Sequence, residues 1–175
     1  FLQPGTYTEA VVPVTGKTYF SYPGVVFTTG SVQKTSGTLV DTKWLGYAKF
    51  VGDTTHIRFN DIEMTDCEIE FDSAEITNPT GALCLYIDCD TASSLQIRCN
   101  KITDAHCTNG AAAVVKGPIT GYMTIKDSVT ALYGALNLGF SGEYLRDFTI
   151  NCPKIICEGV ANANYSNAIV CGGVE

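Results

Sequence analysis

The sequence predicts an all-β chain folded as a single-stranded parallel β-helix, a solenoid of roughly seven coils. Three observations carry that expectation. Short apolar/polar alternations recur along the chain, each is broken by Asn, Asp, Pro or Gly, and no window sustains an i, i+3, i+4, i+7 pattern. Composition agrees: charged residues make up 17% of the 175, below the quarter usual in globular domains, so the surface is not that of a helical protein.

Taken in order, residues 1–53 read as opening coils and a cap. Thr6 to Val12, Lys17 to Ser21 and Val25 to Thr29 are short β-rich runs separated by Thr15-Gly16 and Pro23-Gly24 turns. The segment Trp44-Leu45-Gly46-Tyr47-Ala48-Lys49-Phe50-Val51-Gly52 concentrates apolar and aromatic side chains. It reads as a loop packed over the first coil, or as a subunit contact or sugar-stacking platform built from Trp44, Tyr47 and Tyr22.

Residues 54–175 read as repeat coils of the same domain. Ile57-Arg58-Phe59-Asn60-Asp61-Ile62 is matched by Ile97-Arg98-Cys99-Asn100-Lys101-Ile102, by Ile125-Lys126-Asp127-Ser128-Val129 and by Ile150-Asn151-Cys152-Pro153-Lys154-Ile155. Each is a strand, a bend and a second strand, with Asn or Asp suited to the bend because they tolerate left-handed backbone. A second frame follows at Gly81, Gly110, Gly134 and Asn167, and the residues two and four positions after each are apolar. Stacked coils would pile Ile57, Ile97, Ile125 and Ile150 into one inward ladder, the spacing of 40 between the first two implying an excursion within residues 66–80.

The opening Leu2-Gln3-Pro4-Gly5-Thr6-Tyr7, with its Gly24-Val25 strand onset, resembles the first coils of right-handed pectin-lyase-like β-helices. That superfamily includes pectate lyases, polygalacturonases, pectin methylesterases and phage tailspikes. The resemblance implies a right-handed coil and assigns no activity. Its enzymes' marks are missing: neither His56 nor His106 sits in a Gly-His-Gly segment, and only three Arg are present. Arg58 and Arg98 occupy equivalent frame positions, as structural repeats would. Gly5-Thr6-Tyr7-Thr8-Glu9 matches a pectin methylesterase opening, without that family's downstream segments.

Net charge is −7, and residues 51–90 alone carry ten acids against Arg58. This argues against nucleic acid or an anionic membrane as partner. Glu68, Glu70 and Asp72 alternate with Cys67, Ile69 and Phe71, which puts three carboxylates on one outward strand face, with Asp61 and Glu63 continuing the acidity before them. A solvated face is the plain reading; a polysaccharide hydrolase or lyase using these acids is the chemical one. Asp53 and Asp88/Asp90 offer oxygen ligands suited to Ca²⁺, though nothing in the sequence fixes a geometry, and no cofactor or other metal is implied. The pairs Asp53/His56 and Asp104/His106 read as corner residues, and Asn164-Tyr165-Ser166 as a chance glycosylation sequon.

The eight cysteines lack zinc-site spacing, and Cys99, Cys152 and Cys171 fall at inward frame positions, as small hydrophobes would. The chain begins at Phe1 without a signal-like segment, as a processed or excised piece would. Together these features point to a non-catalytic structural or binding β-helix of a virion surface (tailspike, fibre or capsid decoration). The expected form is a homotrimer at an extracellular or virion location, contacting glycans or other virion proteins.

Overall fold

A computed structural model describes residues 1–77, 82–104, 111–132, 134–139, 145–158 and 169–171. It is all-β, with parallel strands stacked as a solenoid of about five turns, fewer than the roughly seven coils the sequence suggests. The strand β10 (Leu85–Asp104) by itself supplies all four faces of one turn. Its residues pair in succession with β8 (Ile57–Thr65) and β9 (Glu68–Ile76) on one side. On the other side they pair with β11 (Ala111–Lys116) and β12 (Ile119–Ala131).

That turn defines four faces. The first holds Val32, Ile57, Leu85, Ala113, Leu136 and Ile169 in register. The second holds Leu39, Met64, Ala92, Ile119 and Leu145. The third holds Tyr19, Trp44, Ile69, Ile97, Met123 and Ile150, and the fourth Phe27, Phe50, Ala74, Ile102, Val129 and Ile155. These side chains point inward, because strand side chains alternate; Ile169, on the last described strand, is 46% exposed. Aromatic residues fill the early turns: the Phe27 and Phe50 rings stack at 4.9 Å, and Tyr19 stacks on Trp44 at 5.6 Å. Aliphatic residues continue the core below them.

The turns differ in length at one corner. From the first face to the fourth the chain takes 20, 19, 19, 18 and 21 residues (Val32 to Gly52, Ile57 to Ile76, Leu85 to Asp104, Ala113 to Ala131, Leu136 to Cys157). The return to the first face takes 5, 9, 9, 5 and 12. The frame alignment read from the sequence is therefore corrected. Ile57 lies on the first face, while Ile97, Ile125 and Ile150 lie on the third, so the four do not form one ladder. The similar Ile57–Ile62 and Ile97–Ile102 segments turn two different corners, and the spacing of 40 needs no excursion after the Asp66 corner, where Glu68–Ile76 is continuous strand. Arg58 and Arg98 are likewise on different faces.

Corner chemistry follows the reasoning given for Asn and Asp. Between the second and third faces a left-handed residue recurs turn after turn: Gly16 (φ 71°), Asp41 (46°), Asp66 (52°), Ser94 (56°) and Asp147 (47°). Their amides continue the ladder, as Asp41 N–H donates to Thr65 C=O at 3.0 Å and Asp66 N–H to Ser93 C=O at 3.0 Å. Asp61 (φ 52°) serves the same purpose between the first and second faces. Asp tolerates this conformation better than most residues, which gives part of the acidic stretch a backbone role.

The segment around Trp44 is not a cap. Its strands β6 (Lys43–Gly46) and β7 (Lys49–Gly52) lie inside the stack. β6 pairs with β2 (Thr18–Ser21) and β9, and β7 with β3 (Val25–Phe27) and β9.

Candidate functional site

The sequence-predicted carboxylates Glu68, Glu70 and Asp72 do project outward together, on the third face, because Ile69 and Phe71 between them are buried in the core. The next turn places Gln96, Arg98 and Asn100 beside them, 28 residues on in each case. Arg98 forms an ion pair with Glu68, and a second of its guanidinium contacts reaches Glu70 at 3.6 Å. The Tyr122 hydroxyl accepts from Arg98 Nη1 at 3.2 Å and donates to Gln96 Oε1 at 2.6 Å. Asp72 is held from both sides: Lys49 Nζ lies 3.5 Å away, and Asn100 Nδ2 donates to it at 2.6 Å.

Beside these clasps lies a shallow surface depression of about 30 Å³, lined by Tyr47, Glu70, Asp72, Arg98, Asn100 and Lys126. Phe71 and Cys99 also border it, and Gly46 keeps its edge low. Tyr47 is 54% exposed. Tyr22 stands near the same end of the stack, 39% exposed, packed with Phe20 (5.3 Å) and Phe1 (6.2 Å). Surface aromatic rings beside hydrogen-bonding carboxylate and amide groups suit a polyhydroxylated ligand, whose C–H faces stack while its hydroxyls both donate and accept.

Other expected site residues fall elsewhere. Trp44 is 3% exposed and stacks inward on Tyr19, so it offers no platform to a ligand. Its indole packs there because the position alternates with outward Lys43 and Leu45. Asp61 and Glu63 lie before the Asp66 corner and so belong to the second face, apart from Glu68. Asn60 donates to the Asp61 carboxylate, and the Glu63 carboxylate accepts from Thr38 Oγ1 at 3.5 Å. The acidic stretch is thus a belt wound around the solenoid and not one patch.

Asp88, on the first face, pairs with Lys116 at 2.7 Å and accepts from the Tyr86 hydroxyl at 2.8 Å. Burial and Asp88 push the Tyr86 phenol above its ordinary range. Among the described residues no three His, Cys, Asp or Glu side chains are grouped to hold a metal ion. His56 is fully buried at the return corner and its Nε2 lies 2.8 Å from Glu75 C=O. Cys107, His106 and the Asn164 sequon lie outside the described residues.

Cys67, Cys84, Cys89 and Cys99 are buried, and Cys152 and Cys157 half-buried. Cys99 stands between Phe71 and Ile125 in its ladder, as an inward hydrophobe. Burial pushes the Cys89 thiol up to about 12 and the Cys99 thiol well above its ordinary range.

The residues missed in the sequence are Lys49, Arg98, Asn100, Tyr122 and Lys126. The 28-residue turn length, which the 40-residue spacing hides, finds Arg98 and Asn100 opposite Glu70 and Asp72, while Lys49 and Tyr122 follow from the offsets of 24 and 26 residues in the neighbouring turns.

Comparison of the chain with protein-family models, with curated proteins and with solved structures found no match. The pectin-lyase-like resemblance accordingly stands on the opening motif alone, and the solenoid on its strand pairing.

Proposed function

We propose that the chain is a non-catalytic structural and binding β-solenoid of a virion surface, of the tailspike, fibre or capsid-decoration kind. In this reading it assembles as a homotrimer and meets glycans or neighbouring virion proteins through its third face. The observation that carries the reading is the state of the outward carboxylates: each of Glu68, Glu70 and Asp72 is tied to a cation or amide on an adjacent turn. A general acid must present its carboxyl to the leaving-group oxygen, and a carboxylate already engaged by a guanidinium, ammonium or amide on the adjacent turn is not so presented. Used this way the acids clasp one turn to the next, a structural role. The virion assignment draws on the opening coils and on the low-charge, Thr-rich exterior.

Size-exclusion chromatography with light scattering, at micromolar concentration, tests the assembly. A trimer that persists in Glu68→Ala, Glu70→Ala and Asp72→Ala variants is expected, and a monomer overturns the assembly reading. In parallel, new reducing ends or unsaturated products from polysaccharides, lost in any one of those variants, would replace this reading with a carbohydrate-active enzyme.

A further inference from the structure

We infer that the depression beside Tyr47 is a binding site for an uncharged glycan, and that it discriminates against uronic or otherwise anionic sugars. This rests on the reading of the third face as a glycan-contacting surface and adds the chemical class of the glycan.

The charges at the site balance. Lys49, Arg98 and Lys126 supply three positive charges, and Glu68, Glu70 and Asp72 three negative ones, so the depression and its clasps sum to zero. The rest of the acidic stretch lies on other faces, so this neutrality is a local feature of a chain whose net charge is −7. An anionic sugar placed here meets two carboxylates, Glu70 and Asp72, at close range against the single ammonium of Lys126, since Arg98 is already engaged by Glu68 and Glu70 and Lys49 by Asp72. The net negative charge of the chain opposes its approach as well. A cationic ligand meets Arg98 and Lys126.

A sugar hydroxyl has no such conflict, because it donates to a carboxylate and accepts from a guanidinium, ammonium or amide N–H. Tyr47 completes the site. Its ring is 54% exposed at the rim and offers an apolar plane to the C–H face of a pyranose, while its hydroxyl remains able to hydrogen-bond. Within the depression Asn100 and Asp72 are fixed relative to one another by their 2.6 Å hydrogen bond, so the polar wall is ordered before a ligand arrives.

The test is calorimetric titration of the wild-type chain with cellohexaose, maltohexaose, mannohexaose and hexagalacturonate, each at low and high sodium chloride. At least one of the three neutral oligosaccharides is expected to bind, with an affinity that salt does not change, and hexagalacturonate to bind at least tenfold more weakly. Tyr47→Ala should weaken the neutral ligand about tenfold, equivalent to 1.4 kcal/mol, and Tyr47→Phe should retain most of the affinity. A thermal melt of each variant shows that the fold is kept. Binding of hexagalacturonate alone overturns the inference and leaves the glycan-contact reading standing. Neutral binding that Tyr47→Ala leaves unchanged overturns the site. Binding of none of the four overturns the inference, while a trimer in solution would still support the structural reading.

Discussion

Arg98 forms an ion pair with Glu68 on the preceding turn and stands 3.6 Å from Glu70 of the same strand. One guanidinium thus ties two carboxylates whose repulsion would otherwise act along the outer face of β9. Arg98→Ala leaves Glu68, 15% exposed, without that partner and takes a donor from the Tyr122 hydroxyl. A loss of about 1–3 kcal/mol in urea unfolding is expected, because both carboxylates are only partly solvated. Arg98→Lys should restore less than half, since an ammonium cannot reproduce the fork. A double-mutant cycle of Arg98→Met with Glu68→Gln should give a coupling of about 1 kcal/mol; a coupling of zero would mean that the pair is solvent-screened decoration.

How far the fold was legible depended on which signal repeats locally. Strand character, corner residues and inward cysteines follow from alternation over a few residues, and Gly16, Gly24, Asp61 and Cys99 all take the places that alternation assigns. Register over a whole turn is different. Ile57–Ile62 and Ile97–Ile102 look alike because any corner between two short strands needs the same pattern, so likeness of sequence aligned two different corners. The lateral partners of Glu70 and Asp72 come from the adjacent turns, Arg98 and Asn100 after them and Lys49 before, and only the correct turn length exposes them. Trp44 was misplaced for a related reason: an apolar cluster outside the apparent repeats looks like a cap until β9 is found to pair with its strands.

The corner between the second and third faces makes a contrast that separates backbone from charge. Asp66 has φ 52°, so Asp66→Gly should cost little, within about 0.5 kcal/mol, despite removing a carboxylate. Asp66→Val should lose about 1–2 kcal/mol through left-handed strain. Gly117, at the corner between the first and second faces, tests the opposite limit: its φ is 113°, and a Cβ there would stand 2.1 Å from Cys89 C=O. Gly117→Ala should therefore cost about 3 kcal/mol or more, with the midpoint of thermal unfolding as the measurement. An unaffected Gly117→Ala protein would show that this corner is not packed as described.

The thiols should react in order of their exposure. Under native conditions Cys152 and Cys157 are expected to be alkylated before Cys67, Cys84, Cys89 and Cys99, as peptide mapping with a timed iodoacetamide pulse will read. The burial that pushes Cys89 up to about 12 keeps its thiolate scarce at neutral pH. Cys99→Val should be tolerated to within about 1 kcal/mol, because the slot between Phe71 and Ile125 asks for a small apolar group and not for a thiol. Rapid native labelling of Cys99 would contradict its place in the core.

His56 makes stability depend on pH in a defined window. Burial lowers its pKa below the ordinary 6.5, outweighing the Glu75 carbonyl contact and the nearby Asp53 charge, which both raise it. Its Nδ1 is buried with no hydrogen-bond partner, and its ring packs 5.9 Å from Phe50. The folded state therefore favours the neutral imidazole, while the unfolded chain takes up a proton below about pH 6.5. Above about pH 7 the group contributes no slope. As pH falls from there toward the folded-state pKa, the unfolded state binds more protons and stability drops, by at most about 1.4 kcal/mol per pH unit. The corresponding measurement is urea unfolding at pH 7.5, 6.5 and 5.5, above the range where most carboxylates titrate. His56→Gln can still donate to Glu75 C=O but cannot titrate, so its stability should be nearly flat over this window. A wild-type curve as flat as that of His56→Gln would mean that the imidazole is solvated in the folded protein.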